Sequence, residues 1–243
     1  MTRFANFKSQ FEQTEKAIWQ QIFDENKDII KIKKEKFALP NLQLIINSTI
    51  ELSNRTGFRA MSLRDLSNDT GISMGALYSY IESKKRLMEI ILRQVLQMVD
   101  RALGAEEVAE LEPRERLHTL LRHHIYLSEV MQPWFFFAYM EAKSFDQVGK
   151  RLAITNELRT EGLLAACLSE GTRRGVFRAV DPVMTASLIK PLLQDWYLKR
   201  WKYRRREVSP DDYADWVIRF VDAFVDHAHA PEQGPRTLSR TLA

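Results

Sequence analysis

Residues 57–87 read GFRAMSLRDLSNDTGISMGALYSYIESKKRL, and this stretch contains two helix starts separated by a glycine. Ser62 and Asp65 form a Ser-x-x-Asp capping pattern, in which the hydroxyl accepts from an orphan backbone N–H and the carboxylate reaches back to the cap. Leu63 and Leu66 supply the apolar positions of that helix. Gly71 then takes a tight turn that a side-chain-bearing residue resists. Ser73 caps the next helix, whose Leu77 and Ile81 are spaced to face a core, leaving Gly75, Ala76, Ser79 and Tyr80 on the opposite arc. Upstream, Pro40 to Arg55 carries Leu42, Ile45, Ile46, Thr49, Ile50 and Leu52 at helical spacing. Gly57 follows where a left-handed C-cap belongs. The segment therefore predicts three helices, the last two joined as a helix-turn-helix.

The residue types on the outer arc suit a duplex groove. Gly75 and Ala76 permit close backbone approach, and the free N–H groups after Ser73 can meet phosphate oxygens. Met74 and Ala76 can touch thymine methyls, and Arg64 on the preceding helix can grip guanine with both arms of its guanidinium. Tyr78 and Lys84 suit phosphate contact.

From about Leu44 to Leu92 the chain resembles the tetracycline-repressor (TetR) family of one-component bacterial transcription regulators. The resemblance rests on the run GFRAMSLRDLSNDTGISMGALYSYIESKKRLMEII, with its helix-start Ser62, turn Gly71, Tyr78-x-Tyr80-Ile81 run, and Lys84 before Leu87. It implies DNA contacts at Ser62, Arg64, Ser73, Met74, Gly75, Ala76, Tyr78, Ser79, Tyr80 and Lys84. Tyr80 stands where the family often has histidine and Ile81 where it often has an aromatic residue. Both departures keep size and apolar packing.

With 243 residues, 45% of them hydrophobic, the chain can bury a sizeable core. Its lone cysteine, Cys167, excludes an internal disulfide framework and reads as a small core residue. No secretory leader at Met1 and no apolar run of spanning length lead to the expectation of a cytoplasmic protein with no membrane partner. The net charge of +4 is too mild to argue for nucleic acid by itself, but its distribution says more. Lys31, Lys33, Lys34 and Lys36 precede the head and read either as an arm along a phosphate backbone or as a solvated linker. A second basic cluster, Lys199, Arg200, Lys202 and Arg204 to Arg206, reads as the polar end of a body helix.

The expected fold is all-α and organised as an N-terminal helical extension (1–39), a helix-turn-helix head (40–86), a helical effector-binding and dimerisation body (87–230) and a tail (231–243). In the extension, Phe11, Ile18, Trp19, Ile22 and Phe23 mark an amphipathic helix expected to pack on the body or on a partner subunit, with a membrane-surface helix as the competing reading. Ser83 caps a fourth helix from Lys84 to about Leu103, and Gly104 to Pro113 forms the boundary that follows. Further helices are expected from Pro113 towards Met131, from Pro133, from about Ser144 to Glu170, from Asp181-Pro182 and from Ser209-Pro210, with Gly171 and Gly175 marking a loop.

A two-fold dimer would set a pair of reading helices roughly 34 to 36 Å apart, matching a palindromic operator in double-stranded DNA. Leu188, Leu192 and Trp196, with Trp216, Val217, Phe220, Val221 and Phe224, are the candidate homodimer surface; the same residues can equally serve as internal core. The aromatic run Trp134 to Tyr139 covers more of a helix than one neighbour needs, so its rings either line an internal space or make a second contact in a solid aromatic core. The candidate lining of that space is His124, Tyr126, Trp134, Phe137, Met140, Asp195 and Trp196. The composition favours a small hydrophobic or acyl-type effector over a highly charged one.

The expected function is therefore that of a ligand-responsive, DNA-binding transcriptional repressor. The alternative is a DNA-binding protein that senses nothing and recruits a protein partner to chromosomal sites. An enzyme is not expected. His118, His123, His124, His227 and His229 show no metal-ligand spacing, no glycine-rich phosphate loop is present, and no cofactor is implied.

Overall fold

The computed structural model describes residues 3–32 and 34–227. Lys33, His229 and the expected tail at 231–243 lie outside those residues. The described residues form α1 (Phe4–Glu25), α2 (Glu35–Thr56), α3 (Leu63–Thr70), α4 (Met74–Leu77), α5 (Lys84–Leu103), α6 (Glu106–Ala109), α7 (Pro113–Val130), α8 (Gln132–Met140), α9 (Gln147–Arg173), α10 (Pro182–Leu198), α11 (Arg200–Arg205) and α12 (Pro210–Val225), with a 3₁₀ turn at Ala142–Ser144. No strand occurs among them.

The helix starts follow the sequence signals. Ser62 and Asp65 make a reciprocal capping box, as do Ser209 and Asp212, while Ser73, Ser83 and Asp181 cap α4, α5 and α10. Gly71 sits at φ 69°, ψ 4°, the left-handed turn its position requires. Gly57 also has positive φ, at 87°, but its ψ of 137° lies outside the left-handed helical basin expected for it.

Two boundaries differ from expectation for physical reasons. Helix α2 begins at Glu35, so Pro40 lies inside it and costs one backbone donor; the complete burial of Ala38 and Leu42 outweighs that loss. Lys34 and Lys36 therefore belong to a helix start, and the Lys31 backbone N–H donates to the carbonyl of Ser79 at 2.8 Å. The segment read as an arm or a linker is thus tied to the head at Lys31. Gly171 is helical, and its being glycine is explained by packing rather than by a loop: the Phe177 ring occupies the place where a Cβ would stand. Only Gly175 of the pair turns a loop, at φ 71°.

Helices α5, α7, α9 and α10 pack together as the centre of the body, and α12 closes against α7. Cys167 is buried there, its Sγ donating to the Pro113 carbonyl at 3.2 Å. Helix α1 lies along both α2 of the head and α7 of the body. Its Phe7 meets the rings of His123 and Tyr126 at 5.3 and 5.7 Å, and Trp19 meets Trp134 of α8 at 5.9 Å. At its C-terminal end Glu25 accepts from Gln97 of α5 at 2.9 Å.

Candidate nucleic-acid interface and body cleft

The outer surface of α3 and α4 is open. Arg64, Ser73, Gly75, Ala76 and Tyr78 are exposed, and Met74 and Ser79 are half-buried. The Ser62 hydroxyl accepts from the Asp65 N–H at 3.1 Å, and the Asp65 carboxylate accepts from the Ser62 N–H at 2.8 Å. The Ser62 hydroxyl and backbone bonds hold the Asp65 carboxyl below its ordinary range. Ser73 Oγ accepts from the Ala76 N–H at 3.3 Å. No atom lies within 4 Å of where a Cβ on Gly75 would stand, so the fold itself does not require glycine there. That freedom is what a close external approach would use. The reading helix is short: α4 spans only Met74–Leu77, after which Ser79 and Tyr80 bond back to Ala76 and Leu77 in a tightened turn.

Two of the expected contact residues stand elsewhere. Tyr80 is not on the outer arc but 4% exposed, its hydroxyl accepting from Asn41 Nδ2 at 2.8 Å and donating to the Phe37 carbonyl at 3.4 Å. The tightened turn after Leu77 rotates it inward, whereas continued helical spacing would have left it outside. Lys84 turns back onto the α2–α3 turn, donating to the carbonyls of Met61 at 2.6 Å and Arg59 at 3.1 Å, with its ammonium 4.6 Å from the centre of the Phe58 ring. Burial lowers its pKa. These bonds brace the turn at the base of the head.

The body contains a cleft of about 650 Å³, walled by α5, α8, α9 and α10. Its apolar walls include Val95, Val99, Phe135 and Ala138, and its polar groups are Asn156, Glu157, Thr160, Lys190, Gln194 and Tyr197, with Lys143 also on the lining. Glu157 receives Gln194 Nε2 at 2.8 Å and pairs with Lys190 Nζ at 3.4 Å. Burial depresses the Lys190 pKa against the pull of Glu157, and burial, with Glu157 nearby, pushes the Tyr197 phenol up.

Of the expected lining residues, only Met140 faces this cleft. Trp134 packs on Trp19, and Tyr126 on Phe4 and Phe7 while donating to Asp211. Phe137 is buried against Phe58 and Phe145. Trp196 stacks on Tyr213 at 4.7 Å. Asp195 binds Lys199 at 2.7 Å and Lys202 at 2.5 Å, and also accepts from Tyr203. His124 lies beside Phe135, fully buried, with both ring nitrogens unpartnered and its pKa driven down first by burial and then by Lys190. The aromatic run does reach the cleft, but through Phe135 and Tyr139. Sequence reasoning missed Glu157, Thr160, Lys190 and Gln194. Their signal was polar residues spaced three or four apart on otherwise apolar faces of α9 and α10.

The expected interface residues divide between core and surface. Trp196, Val217 and Val221 are buried; Leu188, Trp216, Phe220 and Phe224 are exposed, as are Val183 and Met184. Among the described residues no group of three His, Cys, Asp or Glu is placed to hold a metal ion, and no helix is long and apolar enough to cross a membrane.

A capped helix-turn-helix with an open outer face, carried on a larger helical body, defines the class of helix-turn-helix transcription regulators. Residues 110–224 match the family model described as Tetracyclin repressor-like, C-terminal domain. The HTH-type transcriptional regulator HbdR of Aromatoleum sp. (strain CIB) is 20% identical over 181 residues, covering 74% of this chain and 79% of that one. The fold is similar to that of the TetR family transcriptional regulator PfmR from Thermus thermophilus (25% identity, TM-score 0.62, 74% and 96% of the two chains). It is also similar to AibR, solved in complex with isovaleryl coenzyme A and operator DNA (19% identity, TM-score 0.65, 74% and 96%). The C-terminal part of the chain thus matches a tetracycline-repressor-like domain, and the chain is similar to TetR-type transcription regulators.

Proposed function

We propose that the protein is a cytoplasmic repressor that binds a palindromic operator as a homodimer and is released by a small acyl-type effector held in the body cleft. The observation that carries this reading is that α8 is shared between cleft and head. Phe135, Ala138, Tyr139 and Met140 line the cleft, while Phe137 of the same helix meets Phe58 of the head edge to face at 5.6 Å and the Pro133 carbonyl accepts from Asn54 of α2 at 3.1 Å. A ligand that moves α8 acts directly on the base of the head. The cleft volume of about 650 Å³ is within the ordinary range for small-molecule sites, and the similar fold of AibR carries an acyl coenzyme A and operator DNA.

In the head, Arg64 is the residue that reads a base. Ser73, Tyr78 and Ser79 take phosphates, with Gly75 and Ala76 allowing close approach. The dimer surface is the exposed stripe of Val183, Met184 and Leu188 on α10 with Trp216, Phe220 and Phe224 on α12, two adjacent faces able to form a four-helix contact with a second copy. Effector and operator then compete through a shift between two conformations, each ligand favouring the one it binds more tightly.

The test is a fluorescence-anisotropy titration of full-length protein on duplexes selected from a random pool, repeated with a series of acyl coenzyme A thioesters. The reading expects a selected palindrome whose occupancy falls as one thioester saturates. Binding that ignores sequence, or that no thioester alters, rejects it.

A further inference from the structure

The polar groups of the cleft are not spread over its surface. Ile154 is 57% exposed at the opening, beside exposed Tyr139, Met140 and Lys143, whereas Thr160 is 2% and Lys190 4% exposed at the floor, with Gln194 and Tyr197 beside them. Several floor groups lack hydrogen-bond partners. Thr160 Oγ1 has none, nor does Asn156 Oδ1, although the other half of that amide donates to the Leu92 carbonyl at 3.2 Å. The Lys190 ammonium has three N–H donors and one carboxylate partner, Glu157 at 3.4 Å. A hydrocarbon pushed to this floor offers these groups no partner.

We infer that the effector carries a neutral hydroxyl at the end of its acyl chain that lies deepest in the cleft, held by Thr160 and the Lys190–Glu157 pair. This rests on the reading of the cleft as an acyl effector site. A hydroxyl fits because the floor offers both donors and acceptors: it accepts from Lys190 and donates to Glu157 or Asn156. A carboxylate does not fit, since Glu157 already offsets the Lys190 charge and would repel a second anion, with Glu161 adding to the negative field around that ammonium. The thioester end would then lie towards the opening, next to exposed Lys143, which suits a phosphate-bearing carrier outside the cleft.

Calorimetric titration of full-length protein with a matched pair, octanoyl coenzyme A and 8-hydroxyoctanoyl coenzyme A, tests this. The hydroxylated thioester binds at least about tenfold more tightly, as one satisfied polar contact predicts. Thr160→Val, nearly isosteric, brings the two affinities to within about threefold by weakening the hydroxylated thioester and tightening the plain one, and Thr160→Ser restores the preference. Lys190→Met, with folding verified by its thermal transition, likewise removes it. Equal or tighter binding of the plain chain overturns the inference, as does a preference that survives both Thr160→Val and Lys190→Met. If neither thioester binds, the acyl reading of the cleft fails, and this inference fails with it.

Discussion

The indole of Trp19 lies against the indole of Trp134, ring centroids 5.9 Å apart and planes tilted by 55°. This contact joins the N-terminal helix to α8, the same helix that walls the cleft and supports the head. Helix α1 is thereby a strap across both parts, held at one end by Phe4 and Phe7 on Tyr126 and at the other by Glu25 on Gln97.

Removing the Trp19 ring should loosen that strap. Trp19→Ala is expected to destabilise the protein by about 3 kcal/mol in urea unfolding, as deletion of a large buried aromatic does. A double-mutant cycle with Trp134→Ala should return a coupling of about 1 kcal/mol, the value of a tilted aromatic pair beyond its area. Additive effects would show that the two rings act independently.

Gly75 separates folding from DNA contact. Because no atom lies within 4 Å of its missing Cβ, Gly75→Ala should leave the melting temperature unchanged or raise it slightly through better helix propensity. Operator affinity should fall at least tenfold, read by anisotropy, since the added methyl stands between backbone and duplex.

The two tyrosines of the Tyr78-x-Tyr80 run should behave oppositely. Tyr80→Phe removes hydroxyl bonds to Asn41 and Phe37 and should cost about 1 kcal/mol of stability with operator affinity intact. Tyr78→Phe should leave stability alone and weaken binding to specific and non-specific duplexes alike. Arg64→Ala should instead cost about 1 to 3 kcal/mol of binding and relax preference at one operator position.

Asp195 gives the acid limb of stability a specific origin. Burial raises its pKa, but bonds from Lys199, Lys202 and Tyr203 outweigh that and hold it at about 2. The folded value lies below the ordinary carboxylate value of about 3.9, so the contribution is complete above about pH 4 and is lost as pH falls towards 2. Unfolding free energies from urea titrations between pH 5 and pH 2 should fall less steeply for Asp195→Asn than for the parent, by a difference of about 2 kcal/mol across that window.

The head was legible because its signals are local. Ser62, Asp65, Gly71, Ser73 and Ser83 each act within four residues, and all cap or turn as their spacing implies. Tyr80 was misread because helical spacing was carried past Leu77, where the turn tightens. The cleft was poorly legible because its polar floor is assembled from α9 and α10, and only packing reveals that Thr160 and Lys190 line the same space. Tyr126 and Trp134 were assigned to that space because sequence cannot indicate that the N-terminal helix occupies the surface they present.

The single cysteine has a practical consequence. Cys167 is buried between α7 and α9, and burial raises its thiol pKa, so little nucleophilic thiolate forms and none of it faces bulk water. Such a sulfhydryl stays silent towards aqueous alkylating reagents until α7 and α9 part. The native chain therefore carries its own chemical clock for opening of the body, and labelling rates with and without bound ligand would time that opening with no engineered probe.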